Sequence, residues 1–433
     1  MIGRIKNRII AIHSSNPDYI PALSSGYILM GANILIQFAL TPFYLKHLGE
    51  HQFGLLMIIL SMINFVAIGI TWMSGGLVRM VGECWAKSDL DGFRNIFSVA
   101  KYVYTIYALL VVLLVIPIYL FFSDIKYQDE GYFFYSVILA GVYLVLNYES
   151  LPEQQSFTGV NRQTVGNKIQ LIRILLFAAL VFFLLPQFKS LSAVWIGLIS
   201  GVLLQRFIAA RYWNLHIGNI GWKRVSKDMK PIFQRLTGRQ GAGYISYGAL
   251  LLLLQADTMI IGMIGGAQAA GQFVLLWKIP EAIGLLLCKI PATIEPKVIQ
   301  YDTSGNKKAL KSLFVQGRRW FILLVFLVSC IYILAGQWLA QLWVGEHAPQ
   351  EHWMYIIAGV ALFLNTISRW PVSFAYSLVK LRPLVKISFI EAFLKIFIII
   401  VLYDNFGIAS PLVAIVVIHS LYATMAYQKI ILE

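Results

Sequence analysis

Charge is scarce in this chain. Of its 433 residues only 13% are Asp, Glu, Lys or Arg, about half the share of an ordinary globular domain, while 59% are hydrophobic. A soluble protein cannot bury that much apolar surface, so the composition excludes one. Cysteine is scarcer still. Cys84, Cys288 and Cys330 are the whole complement, and their spacing offers neither a disulfide framework nor a metal site. There is no glycine-rich phosphate loop, so ATP is not the direct energy source. The histidines show no metal-ligand spacing, and His47, His51, His347 and His352 fall on polar connections. No serine, histidine and aspartate assemble into a nucleophilic set. Neither an enzyme nor a resident cofactor is expected.

What the chain has instead is long apolar runs. About twelve reach the roughly 20 residues that a membrane span requires. They lie near 22–45, 54–81, 97–122, 132–148, 166–185, 191–213, 241–265, 272–297, 313–334, 353–374, 384–403 and 408–432. In lipid each must be a helix, because no water is there to satisfy its backbone. The connections left over are too short for a soluble catalytic domain. The first run follows Arg4, Lys6 and Arg8 and has full membrane length, so it reads as a retained span, not a cleaved signal.

The 35 basic and 20 acidic residues leave a net charge of +15, and the basic ones sort by side. Only Lys46, Lys126 and Lys189 sit in the connections after the first, third and fifth spans, and none follow the seventh, ninth and eleventh. The opposite connections hold Lys87, Arg94 and Lys101, then Arg162 and Lys168, then the run from Lys223 to Arg239. Lys307, Lys308, Lys311, Arg318, Arg319, Lys380, Arg382 and Lys386 complete the set. By the positive-inside rule that side is cytoplasmic, as are both termini. The basic run is a topogenic, lipid-headgroup surface; with no soluble module around it, nucleic acid is not expected as a partner.

The chain also repeats itself. A shift of 217 places Gly26-Tyr27-Ile28 on Gly243-Tyr244-Ile245, Gly31-Ala32 on Gly248-Ala249 and Thr41 on Thr258. Gly49 and Gly54 then fall on Gly266 and Gly271, and Ser156-Phe157 on Ser373-Phe374. A constant offset across loops and spans indicates two homologous halves. Each half has six spans, an even number, so the halves share one orientation. This predicts an all-α integral membrane fold of two parallel six-helix lobes around a central cavity. The expected boundaries are 1–213 for the first lobe, 214–240 for a basic cytoplasmic linker and 241–433 for the second lobe.

Polar groups inside spans mark candidate sites, since their burial in lipid is costly. Lys278 and Lys289 on the eighth span are eleven residues apart, about 20° around a helix, with Glu281 about 60° to one side. Pro280, Pro291 and Pro296 suggest that this helix is bent. Lys278 could instead snorkel outward and pair with Glu281. Tyr244, Tyr247, Gln255 and Thr258 share an arc of the seventh span, with Asp257 to one side. Asn33, Gln37 and Thr41 line the first, and Ser61, Asn64, Thr71 and Arg79 one side of the second. Such stripes either glue helices or line a cavity, and their occurrence in repeat-related pairs favours the cavity. Arg79 reads either as a lipid-phosphate anchor or as a first substrate contact. Glu391 and Lys395, four apart on the eleventh span, read as an ion pair that is either structural or ion-coupling. Arg369, just before Pro371, reads as a flanking residue of the tenth span.

Three stretches carry a resemblance. Thr41-Pro42-Phe43-Tyr44-Leu45-Lys46-His47-Leu48-Gly49-Glu50-His51-Gln52-Phe53-Gly54-Leu55 resembles the amino-terminal signature of bacterial polysaccharide transporters, the Wzx-type O-antigen flippases. Gly75-Gly76-Leu77-Val78-Arg79-Met80-Val81-Gly82-Glu83 is similar to that family's small-residue, arginine and acidic pattern. So is Gln154-Gln155-Ser156-Phe157-Thr158-Gly159-Val160-Asn161-Arg162. These motifs are shared across the multidrug/oligosaccharidyl-lipid/polysaccharide exporter (MOP) superfamily.

The resemblance implies a cavity lined by spans one, two, seven and eight. It also implies flipping of an undecaprenyl-pyrophosphate-linked oligosaccharide to the periplasmic leaflet of the bacterial inner membrane by proton or sodium antiport. The partners implied are that glycolipid, membrane lipids and assembly proteins such as a polysaccharide polymerase. Arg79, Lys278, Lys289, Asn33, Gln37, Asn64, Tyr244, Tyr247 and Gln255 are the expected substrate contacts, and Asp257, Glu281, Glu391 and Lys395 the coupling candidates. Two alternatives remain: a multidrug exporter of the superfamily, and a membrane-embedded glycan ligase or polymerase. The latter would be expected to carry a large outer loop with catalytic Arg or His, which this chain lacks.

Overall fold

The structure, a computed structural model, describes residues 19–66, 68–126, 131–218, 230–237, 256–378 and 380–432. The expected contacts Tyr244, Tyr247 and Gln255 lie outside them. Among the described residues the regular structure is helical throughout. The first half contributes α1 (Tyr19–Val66), α2 (Ile68–Ala86), α3 (Leu90–Lys126), α4 (Gly131–Gly159), α5 (Gln163–Phe188), α6 (Leu191–Ile217) and the short α7 (Lys230–Thr237). The second contributes α8 (Asp257–Thr303), α9 (Lys307–Val344), α10 (His352–Ser377) and α11 (Leu381–Phe406). It ends with α12 (Ser410–Ile418), which runs through a π turn (His419–Ala423) into α13 (Thr424–Leu432).

Seven helical stretches among the described residues are long and apolar enough to cross a membrane. The helices that carry the intramembrane charges, α8 and α11, are not among the seven. Large apolar side chains cover the outside: Leu334 is 82% exposed and Trp320 73%. Such a surface suits lipid as its solvent. The chain is therefore a multi-pass membrane protein.

The two longest helices each contain a break. Gly49 in α1 has φ 77 and ψ 170, and Gly266 in α8 has φ 86 and ψ −178. Only glycine takes this conformation without strain. The two sites are the pair aligned by the 217-residue shift, so the repeat reaches the backbone geometry and not only the letters.

The chain forms two compact units, one of Met1–Leu48 with Gly69–Tyr244, the other of Gly49–Ile68 with Ile245–Glu433. The first is centred on buried aromatics: Trp213 lies 4.7 Å from Phe157 and 5.5 Å from Phe93 between ring centroids. Within it α7 packs against α2. Leu236 is buried, and a Cβ at Gly76 would lie 3.2 Å from the Leu236 carbonyl oxygen.

The second unit has a core of Phe314, Phe321, Trp370 and Phe374, pinned by the Trp370 indole donating to the Phe314 carbonyl at 3.2 Å. Within it the segment after Gly49 meets α8 through small residues. A Cβ at Gly54 would fall 1.8 Å from the Ala267 carbonyl oxygen, and one at Gly271 would fall 3.3 Å from the Gly54 Cα. The repeat-related glycines thus pack against one another.

Candidate functional site

In the first unit the end of α2 presents Arg79, whose Nε lies 3.0 Å from Glu83, while Arg235 of α7 reaches the other Glu83 oxygen at 2.9 Å. All three side chains are more than a third exposed. The Arg235 hydrogen bond, then that of Arg79, holds the Glu83 carboxyl below its ordinary range. Two guanidiniums on one carboxylate leave a net positive charge, which suits a phosphate-bearing neighbour. On α1, Asn33 is half-buried and Gln37 exposed; the Thr41 hydroxyl donates to the Gln37 carbonyl at 2.8 Å. The Thr41 hydroxyl is therefore spent on its own helix.

The same unit contains polar pairs that are not among the candidate site residues. Lys101, counted with the cytoplasmic connections, is buried on α3, with Nζ 2.9 Å from the buried Glu153 of α4. Arg206 of α6 makes a two-pronged bond to Glu149 at 2.9 and 2.7 Å. Arg173 of α5 donates to Gln205 and to the Tyr143 hydroxyl, each at 2.9 Å. These contacts join α3, α4, α5 and α6 within the unit. The partners of each contact are tens of residues apart, so spacing could not reveal them.

In the second unit Asn64 is exposed near the end of α1. On α8 the Lys278 ammonium lies 3.1 Å from Glu281, so the i, i+3 pair forms. Lys289, three turns on, is exposed and has no ion-pair partner among the described residues. Asp257 and Lys395 are both buried and form an ion pair of 2.7 Å. Glu391 is buried too; the Tyr427 hydroxyl donates to its Oε2 at 2.5 Å, and His419 Nε2 lies 3.1 Å from Oε1. The partners found for Glu391 and Lys395 are therefore His419, Tyr427 and Asp257. His419 and Tyr427 were missed in the sequence because the π turn that aims them leaves no motif.

A third cluster sits beside the Gly49 break. Glu50 accepts from Gln268 of α8 at 2.8 Å and lies 2.8 Å from the His347 Nδ1. The His347 hydrogen bond, set against desolvation and joined by those of Gln268 and Gln272, holds the Glu50 carboxyl below its ordinary value.

No family model matches the chain, and no curated protein does. Solved structures do. The chain is similar to the inward-facing form of a multidrug resistance MATE family transporter of the MOP superfamily, at 12% identity and a TM-score of 0.73, over 92% of this chain and 93% of that one. It is similar to a MOP superfamily transporter from Pyrococcus furiosus, whose binding pocket of reversed polarity suggests a different function, at 11% identity and a TM-score of 0.63, over 96% of each chain. A mutant MATE transporter of Vibrio cholerae matches at 14% identity and 0.59, over 94% of this chain and 96% of that one. At such identities the likeness is one of fold. This chain has the all-α membrane fold of those transporters, about twelve helices in two six-helix repeats.

Proposed function

We propose that this protein is an alternating-access transporter that moves an undecaprenyl-pyrophosphate-linked oligosaccharide from the cytoplasmic to the periplasmic leaflet of the bacterial inner membrane. The observation that carries the reading is Lys289, an exposed cation with no ion-pair partner among the described residues, on the same face of α8 as Lys278. A cation in a membrane helix is expensive, and an anionic headgroup repays that cost. At 4 Å a unit charge pair is worth about 1 kcal/mol in water and about 4 kcal/mol at an effective dielectric of 20. Shelter from water thus strengthens the diphosphate contact several-fold. Lys278, tied to Glu281, acts as a secondary contact, and Arg79 with Arg235 as a basic cluster that first meets the headgroup. Asn33, Gln37 and Asn64, with Tyr244, Tyr247 and Gln255, supply hydroxyl and amide contacts to sugar. Both termini are cytoplasmic in this reading.

Lys289→Ala is expected to abolish surface glycan while the amount of protein in the membrane is unchanged, as measured by glycan staining and immunoblot of the same cells. Normal glycan display in that variant overturns the reading.

The descriptions of the solved structures favour a second reading, a multidrug exporter. The cations on α8 argue against the cationic substrates such an exporter would carry. Greater accumulation of a cationic dye in a deletion strain, with surface glycan unchanged, would establish the exporter instead.

A further inference from the structure

His419 and Tyr427 are eight residues apart. On an unbroken α-helix that spacing separates two side chains by about 80°, so one carboxylate could not receive both. Here both reach Glu391: Nε2 of His419 at 3.1 Å from one oxygen, the Tyr427 hydroxyl at 2.5 Å from the other. The π turn His419–Ala423 explains it. One added residue rotates the following helix by about 100°, which brings the two side chains to within about 20° of each other. Such turns are rare and are found disproportionately at functional sites.

The charges around Glu391 do not balance by themselves. Asp257 and Lys395 neutralise one another at 2.7 Å. Glu391 then has an uncharged tyrosine and an imidazole as its close partners, and all of these groups are buried. Asp257, Lys395, Glu391 and His419 sum to −1 with a neutral imidazole and to zero with a protonated one. From α10, Arg369, half-buried and bonded to the neutral amide of Asn365 at 3.1 Å, also acts electrostatically on Glu391, so with it the set is neutral when the imidazole is neutral and +1 when it is protonated. Tyr376 of α10 and Tyr422 of the π turn pack on the same apolar cluster. On α13 Lys429 is exposed, and the Lys380 ammonium is held by the Ile430 carbonyl at 2.7 Å. Of these groups the imidazole is the one that changes charge near neutral pH.

We propose that His419 and Glu391 form a proton-binding site, and that its loading and emptying drives the transport cycle. The site deepens the transporter reading, on which the second half of the proposal rests; proton binding itself does not depend on it. In the empty state Nε2 carries the hydrogen and faces Glu391 Oε1 at 3.1 Å, leaving the Nδ1 lone pair near the Thr424 hydroxyl at 3.5 Å. A proton from water adds to Nδ1, and the Thr424 oxygen turns from donor to acceptor. No other bond forms or breaks. The Tyr427 hydroxyl, 3.0 Å from Ser388, donates to Glu391 Oε2 and holds the carboxylate in place, so it is a positioning residue.

The test uses the full chain in lipid nanodiscs with ¹⁵N-labelled histidine. His419→Gln identifies the His419 signal among those of seven histidines. In the wild type that signal is expected to change with pH between 4 and 9, and in Glu391→Gln to bind its proton at least tenfold more weakly. A His419 signal that stays constant from pH 4 to 9, or that titrates unchanged in Glu391→Gln, overturns the site. In cells His419→Gln, if it retains the signals of the other histidines, is expected to lose glycan display. Should it lose those signals, Glu391→Gln is scored in its place. Normal display in either, with display lost in Lys289→Ala, overturns the coupling and leaves the substrate reading standing. Titration of His419 with normal display in Lys289→Ala does the reverse.

Discussion

Glu50 shows how a single side chain can depend on distant chain segments. It lies one residue past the Gly49 break and is held by Gln268 and His347, the latter 297 residues away. Its folded-state pKa is lowered, so its stabilisation is complete above the ordinary carboxylate value of about 4.3 and is lost as pH falls through the lower folded value. Because the side chain is only partly buried, 29% exposed, solvent screening keeps the contribution below about 1 kcal/mol. Melting followed from pH 7 to pH 3 is expected to show a drop of roughly 1–2 °C on the acid side that disappears in Glu50→Gln. An equal acid-side drop in that variant would remove Glu50 from the transition. Residue-scale contacts were legible where they are local: Lys278 and Glu281 meet as their spacing requires. Lys395 and Glu391 invited the same treatment, but Asp257, 138 residues from Lys395, and His419 supply the contacts that spacing cannot show.

At the scale of elements, glycine placement was the most legible feature and the best confirmed by geometry. The breaks at Gly49 and Gly266 stop two long helices where the 217-residue shift pairs them, because a positive φ restricts the choice of residue. Gly54 answers a different demand, close approach to Ala267. Adding a methyl there pushes into backbone oxygen at 1.8 Å, and overpacking of this kind typically costs about 1–3 kcal/mol. Gly31, in the interior of α1, has nothing within 4 Å of a built Cβ, and alanine there gains helix propensity of up to about 1 kcal/mol. The expected outcome is a lower melting temperature for Gly54→Ala and an unchanged or higher one for Gly31→Ala, measured in the same nanodiscs. Equal melting of the two would show that the contact between the segment after Gly49 and α8 is not held by close packing. The π turn of α12 and α13 was illegible by contrast, since an added residue in a continuous apolar run alters no motif.

For the whole molecule, the fold survives at 12% identity with a TM-score of 0.73 because what it requires is generic: spans of sufficient length, breaks at glycine and polar pairs kept inside. Orientation is the whole-chain property that the net charge of +15 should determine. Lys101 is withdrawn from that tally by its pairing with Glu153, but Lys307, Lys308 and Lys311 remain beside the turn between α8 and α9. The turn between α9 and α10 carries no Lys or Arg. The bias predicts that the first turn is cytoplasmic and the second periplasmic. Ser304 and Glu346 are exposed on these two turns. In a background with Cys84, Cys288 and Cys330 replaced by serine, Glu346→Cys is expected to react with a membrane-impermeant maleimide in intact spheroplasts. Ser304→Cys should react only after permeabilisation. The opposite pattern would invert the chain in the membrane, and would turn the proposed delivery of glycolipid to the periplasmic leaflet into uptake.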